Sequence, residues 1–319
     1  MGLLDWIKLP PPPDAAVQAL VERAAALADP LIRQAPGYAK KLLPAVRRAH
    51  AYCAGIAAAI PGPYEISRSA FATDPFVHAL FVSADDIETM FATSQCVRDH
   101  LHEMTLTSGS CCALLGMRHR EKAGFGVALQ GEVVRSDVPQ KTLYFTDHTL
   151  AEPGPDAEAA RRRLADTLFD GLVKGFAAHV TDVRAERDDL HREEAFTRAW
   201  ARAGHASALE AADCTRRQAE LEKKLRANAD ALRPAHLLDT LIAMLDDPQP
   251  YLRLDPVSIA VDRTGVITGR GEGCGDTLHF CELTARDKRR WVVVLAQIDH
   301  TEVRRALERF ESARRYIVI

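Results

Sequence analysis

No local signature of a known reaction centre occurs in the 319 residues. There is no Gly-x-x-x-x-Gly-Lys-Ser/Thr phosphate loop, no His-Glu-x-x-His helix, no Gly-x-Ser-x-Gly elbow and no paired Cys-x-x-Cys. What remains open is chemistry assembled from positions far apart in the chain. Long apolar runs are missing too: the longest, such as residues 54–60 and 291–296, fall well short of the ~20 residues that cross a bilayer, so no membrane span is expected. Excess positive charge is absent, with 41 Lys plus Arg against 44 Asp plus Glu, a net charge of -3 and a pI of about 6.5. That balance disfavours a nucleic-acid partner, because such binding rests chiefly on phosphate neutralisation. Aromatic residues make up only 6% of the chain. None interleaves with the arginines near the C-terminus as a base-stacking platform would require. Lysine and asparagine are scarce, Asn228 being the single asparagine. This reads as the bias of a bacterial source rather than as selection for phosphate binding.

A regular cysteine framework is also lacking. The seven cysteines (Cys53, Cys96, Cys111, Cys112, Cys214, Cys274 and Cys281) are odd in number and irregularly spaced, and residues 1–13 do not have the plan of a secretory leader. A reducing, cytoplasmic location is the expectation.

What is present is an ordinary globular composition, 47% hydrophobic and 27% charged. Four segments can be distinguished. Residues 1–13 join an apolar tip (Leu3, Leu4, Trp6, Ile7) to the Pro10–Pro13 run, a stiff polyproline tether. The tip suits peripheral contact with an apolar groove or a lipid interface, or it folds back on its own domain. Trp6 stands where an N-myristoylation motif needs Ser or Thr. Residues 14–150 begin with helical periodicity (Ala16, Leu20, Ala24, Leu27). Helices are then expected over 44–60, closed by Pro61-Gly62-Pro63, and near 83–91 and 94–106. The period then changes to two, giving strands at 111–119, 125–134 and 141–147 with turns at 120–124 and 135–140.

Residues 156–245 form the third segment. Between 156 and 233 lie 15 basic and 15 acidic side chains and no proline, the mark of a long solvated helix. Phe169, Leu172, Phe176, Val183 and Leu190 keep heptad-like spacing, broken by His179, Glu186 and Glu193, and Cys214, Leu221, Leu225 and Leu232 continue on a second stretch. A turn at Gly204 would make an antiparallel helical hairpin; the alternative is one helix of ~100 Å. In residues 250–319 a second meander (257–261, 266–269, 277–283, 291–298) precedes a helix over about 301–315. The fold class is therefore α+β: a helix-rich N-terminal region, two antiparallel β-meanders and a long helical arm between them. The meanders either belong to separate domains or share one sheet.

Several residues are candidates for chemistry, each with an ordinary alternative. Gly269, Gly271 and Gly273 resemble a phosphate cradle, but a strand follows them where a helix should, so a hairpin connection explains them. Cys274, His279 and Cys281 are the best nominal metal set, with three ligands where structural zinc takes four; core packing accounts for Cys281. Cys112, His119 and His148 lie within one meander as a conceivable thiol or acid-base site, against which stands the lack of an orienting partner. Cys111-Cys112 invites a redox reading, but adjacent strand residues face opposite ways. His100 and His102, two apart on a helix, make poor joint ligands. Asp85, Asp86 and Glu88 suit a helix start. No cofactor can be assigned.

Charge is unevenly spread. Residues 61–110 carry two basic and seven acidic side chains, 234–285 three and eight, and 286–319 nine and five. The basic end can meet an acidic partner or the acidic segments of its own fold. Taken together, these features point to a non-enzymatic interaction or scaffold protein that uses the helical arm for self-association or to bind a protein partner. The alternatives are a small-ligand sensor or regulatory module with residues 269–275 as a lip, and an unrecognised hydrolase or thiol enzyme.

Overall fold

The computed structural model describes residues 15–103, 109–130, 133–202, 208–262, 264–268, 276–285 and 289–317. In chain order these form α1 (Ala15–Ala28), a 3-10 turn (Pro30–Gln34), α2 (Tyr38–Ala59), β1 (Tyr64–Glu65), α3 (Arg68–Thr73), α4 (Pro75–Leu80), α5 (Ala84–Thr93), α6 (Gln95–Glu103), β2 (Ser110–Gln130) and β3 (Val133–Gly154). They continue with α7 (Ala157–Arg202), α8 (Ala208–Ala231), α9 (Pro234–Asp246), β4 (Leu252–Val261), β5 (Asp276–Ala285), β6 (Arg290–Asp299) and α10 (His300–Ile317). The chain is α+β, with an antiparallel sheet and long helix between its strands.

The chain divides into two compact units. The first comprises Met1–Tyr52 and Leu168–Pro248, the second Cys53–Thr167 and Gln249–Ile319. In the helical unit, α1, α2, α7 and α9 bury Val21, Ala24, Leu42, Val46, Phe169, Leu172, Phe176, Leu238 and Leu241. The helical spacing of these residues puts them on single faces. Polar cross-links tie distant segments of this unit: Arg184 reaches buried Asp29 at 2.6 Å, Arg48 reaches Asp246 at 2.5 Å, and Arg23 pairs with Asp170. Asp29 also caps the 3-10 turn by accepting from the Leu31 amide.

The second unit is built on one sheet, ordered β3-β2-β6-β5-β4, with β1 added parallel to β6. The two meanders therefore share a sheet, joined where β2 pairs with β6 from Ser110↔Asp299 to Met117↔Val292. Cys111, Ala113, Leu115 and Met117 on β2, and Val292, Val294, Ala296 and Ile298 on β6, alternate into one core. Residues of α3 to α6 and of α10 pack into the same core, among them Val77, Ile87, Phe91, Val97 and Val303.

Two expectations are corrected. The polar stretches at 120–124 and 135–140 are not turns, because β2 and β3 stay paired from Cys112↔Gly154 out to Gln130↔Val133. Residues 120–125 are exposed, in a part of the hairpin that pairs with no other strand. A strand segment with no buried side chains needs no apolar alternation, so its sequence resembles a loop. Residues 266–269 are expected as a strand; over the described residues 266–268 the structure has the isolated bridges Thr142↔Val266 and Val261↔Ile267 rather than a strand. The apolar tip, Gly204 and residues 269–275 lie outside the described residues.

The Pro61-Gly62-Pro63 breaker closes against the central strand. The Leu295 amide donates to the Pro61 carbonyl at 2.8 Å, and Gly62, at φ +111, would place a Cβ 2.3 Å from the Leu295 carbonyl oxygen. Both the positive φ and the approach require glycine. Gly62→Ala is expected to destabilise the protein by about 2–4 kcal/mol, from backbone strain and overpacking together. The urea midpoint of the variant should fall accordingly; an unchanged midpoint would show that this approach is not a constraint.

Candidate functional site

In the helical unit, α7 and α8 run antiparallel. The Asn228 side-chain amide donates to the Val183 carbonyl at 2.9 Å, Arg217 pairs with Glu193, and the Cys214 thiol donates to the Thr197 carbonyl at 3.7 Å. Both partners of this pairing repeat every seven residues: 183, 190 and 197 on α7 against 228, 221 and 214 on α8. Leu190, Leu221, Cys214, Thr197 and Asn228 are buried. Beside the Thr197 and Cys214 level lies a groove of about 830 Å³ lined by Phe196, Trp200, Leu221 and a mixed set of charges, including Glu193, Asp213, Arg216, Arg217, Glu220 and Lys224. Phe196 is 72% exposed and Trp200 43%; nearby in sequence, Leu209 on α8 is exposed as well. Two aromatics at i and i+4 share one helical face. This is the most conspicuous apolar feature on the described surface of the unit.

The sheet unit offers a second concavity, a cleft of about 540 Å³ between α3–α4 and strands β3 to β5. Asp74, His78, Phe81, Tyr144, Asp262 and Leu278 are among its lining residues.

The sequence candidates fall as follows. Cys112 is buried on β2; burial and the neighbouring Asp156 raise its thiol pKa, offset in part by Arg161. His119 lies seven residues further along the same strand, about 23 Å at 3.3 Å per residue, so the structure does not bring these two together. Instead His119 Nδ1 sits 2.6 Å from Glu282 Oε1. His148 stacks on Phe81 with ring centroids 4.6 Å apart, and its Nε2 is 2.7 Å from the Leu80 carbonyl. His279 is exposed and bonds the Ser258 hydroxyl at 2.9 Å, while Cys281 is half-buried. Gly269, Gly271, Gly273 and Cys274 lie outside the described residues. Asp86 forms a capping box with Ser83, and Glu88 binds Arg68 and Arg309 at 2.6 and 2.7 Å, so these acidic residues have partners in the fold.

A cluster that the sequence did not single out is formed by His100, Cys111 and His300, all buried, with ligand atoms within 4.8 Å of one another. The signal was thin: one histidine ends a helical stretch, the cysteine follows eleven positions later, and the second histidine is supplied from the far end of the chain. β2–β6 pairing brings Cys111 and His300 together, and α6 adds His100 to them.

Compared with known proteins, the chain matches no family model, no curated protein and no solved structure. Among the described residues no helix is long and apolar enough to cross a membrane.

Burial pushes the His148 pKa below its ordinary value of 6.5, outweighing the upward pull of the Leu80 carbonyl and of Asp86 and Asp147. Folding therefore favours the neutral ring. Below pH ~6.5 the unfolded chain takes up a proton that the folded chain refuses, so stability falls as pH drops through that range and is insensitive to this group above it. His148→Phe keeps the stack on Phe81 and removes the titration. Its Tm should decline less steeply between pH 7 and 5 than that of the parent protein; an identical decline would assign the acid sensitivity elsewhere.

Proposed function

We propose that the chain is a non-enzymatic interaction protein that self-associates through its helical arm, the groove beside Phe196 and Trp200 receiving the same surface of a second copy. The observation that carries this reading is the exposed aromatic pair over an 830 Å³ groove. Aromatic side chains bring large apolar area with few rotatable bonds and are the usual anchors of protein interfaces. Scattered exposed apolar residues need no explanation, but two large rings on one helical face, lining one groove, form a patch. A second copy suits the groove because its lining carries acidic and basic side chains in near balance, Glu193 paired with Arg217 and Asp213 with Arg216, so the same surface can meet it without an excess of one sign. A two-fold axis opposes a patch to itself, so a surface carrying both signs can pair each charge with its opposite. The seven-residue spacing is consistent with an intramolecular coiled-coil-like pair as its scaffold.

Light scattering after size-exclusion chromatography tests this on the full chain. The parent protein should be a dimer, and Phe196→Ser with Trp200→Ser a folded monomer, the dimer dissociation constant rising at least ~30-fold as expected for loss of a central anchor worth ~2 kcal/mol. A parent protein that stays monomeric over the accessible concentration range, or a double variant that dimerises unchanged, would refute the proposal.

The cleft of about 540 Å³ in the sheet unit supports a second reading, a module that senses a small ligand. Its size lies in the range of ligand pockets, and apolar walls (Phe81, Leu278) alternate with polar groups (Asp74, His78, Asp262). A metabolite and nucleotide panel should then give at least one saturable rise in Tm that Phe81→Ala diminishes. No rise from any compound would leave the cleft as packing geometry.

A further inference from the structure

In the sheet unit three elements that are distant in sequence converge at one end of the sheet: His100 on α6, Cys111 at the start of β2, and His300 where β6 passes into α10. The convergence is set by backbone pairing. Ser110 opposes Asp299, Cys111 opposes Ile298, and the His300 amide donates to the Gly109 carbonyl at 2.9 Å. Gly109, at φ +145, takes a backbone conformation that side-chain-bearing residues rarely adopt, and it lies beside the His300 ring. The two imidazoles meet edge to face with centroids 6.4 Å apart.

The polar inventory of this spot is unusual. His300 and Cys111 are fully buried and His100 nearly so. Neither nitrogen of either ring has a hydrogen-bond partner among the described residues. A neutral imidazole carries one donor and one acceptor, and buried polar atoms are ordinarily paired. Here two unused lone pairs and a thiol lie together, within reach of one point.

We infer that His100, Cys111 and His300 hold a single thiophilic metal ion in the sheet unit, three-coordinate as copper(I) or, as zinc(II), with a fourth position completed by a small ligand such as water. Bonds of about 2.0–2.1 Å to nitrogen and 2.3 Å to sulfur bring the donors somewhat closer than they lie now, which side-chain rotation supplies. The donor set selects the class of ion. Two imidazoles and one sulfur, with no carboxylate among the three, do not suit magnesium or calcium and do suit thiophilic first-row ions. Binding replaces the thiol proton: the S–H bond breaks, the proton leaves to solvent and the S–metal bond forms, with no change of oxidation state. Burial favours the neutral, ligating form of both rings, assisted by Arg163 at His100 and Arg304 at His300. Burial pushes the Cys111 thiol up to about 12 without metal, so at neutral pH the metal must displace its proton. With copper(I) the thiolate centre is neutral; with zinc(II) it carries one positive charge, which the Glu103 carboxylate, felt at His100, partly offsets. The ion would cross-link α6, β2 and α10 at a place no covalent bond secures. This inference does not rest on the arm or on any partner.

The test uses the full-length protein, stripped with chelator and titrated separately with zinc(II), cobalt(II) and copper(I). One-to-one binding is expected, with a thiolate-to-cobalt charge-transfer band for the cobalt form. Zinc or copper should raise Tm by about 5–10 °C at a hundredfold excess over the dissociation constant. The band should vanish in Cys111→Ser and persist in the Cys274→Ser, Cys281→Ser double variant, which separates this centre from the other cysteine-bearing stretch. If Cys111→Ser does not fold, His100→Gln must show the same loss. Absence of one-to-one binding by every ion, a band indifferent to Cys111 and His100, or one lost with Cys274 and Cys281 would each overturn the inference. Metal analysis of the protein as isolated then decides between zinc and copper.

Discussion

The sheet unit depends on a single strand that is dry on both faces. In β6, Val292, Val293, Val294, Leu295 and Ala296 are all buried, so alternation that would leave one face wet is absent. Such a strand must be covered on both sides and paired along both edges, or its backbone groups and apolar surface are left in water. The structure meets each demand with different parts of the chain. β2 takes one edge over most of its length, β5 takes the start of the other edge, and β1 takes a short parallel stretch near its end. The helical layer covers the face of Val292, Val294, Ala296 and Ile298. Pro61 and Gly62 must approach Leu295 closely enough that only glycine fits. The long-range order of the unit thus follows from burying one apolar run of five residues.

The arm works under the opposite constraint. Its helices are laced with charge, and the layers between them are in part polar: Thr197 with Cys214, and Val183 with Asn228. Asn228 is buried, and its side-chain oxygen has no hydrogen-bond partner among the described residues. A buried amide of this kind costs stability and disfavours other registers, since any slip would strand the donor as well. In an arm whose apolar seam is thin, register is thus specified by one hydrogen bond to the Val183 carbonyl as much as by packing.

This difference governs what could be read from the chain. The α+β class, most of the helices and the strands with a buried face follow from periodicity: β6 spans 290–299 where 291–298 is expected, and α10 spans 300–317 where a helix over about 301–315 is expected. The stretches 120–124 and 135–140 of the β2–β3 ribbon were not legible as strand, because exposed residues that face no core carry no pattern; charged Arg120, Glu121 and Lys122 look the same in a turn and in an exposed strand. Whether the meanders shared a sheet was equally hidden, since pairing of β2 with β6 joins positions nearly two hundred residues apart. The candidate sites divided in the same way. Phe196 and Trp200 stand on a helix whose charge pattern is visible, yet their exposure depends on the register against α8. His100 and Cys111 were each in view and each had an ordinary explanation, which only the arrival of His300 changes.

That arrival is the work of ordinary folding devices. At the junction of β6 and α10 the Asp299 carboxylate accepts from the Thr301 amide at 2.7 Å and from the Thr301 hydroxyl, which holds its pKa below the usual range. Capping fixes the first turn of α10 and with it the direction in which His300 leaves the backbone. Val303 and Ala306 then bury the helix in the core, and Arg309 reaches Glu88 on α5 at 2.7 Å. The basic end of the chain is thereby turned toward its acidic segment, so part of the charge asymmetry of the sequence is used within the unit. The cap, the apolar stripe and the ion pair hold α10 in place without reference to His300, and they leave its ring facing His100 and Cys111 in a region from which water is largely excluded. Two histidines and a cysteine are a costly choice for such a spot if packing were the whole requirement, because a leucine or phenylalanine would fill it with no polar atoms to satisfy. Their presence at the meeting point of three independently anchored elements is the physical ground for assigning them a ligand.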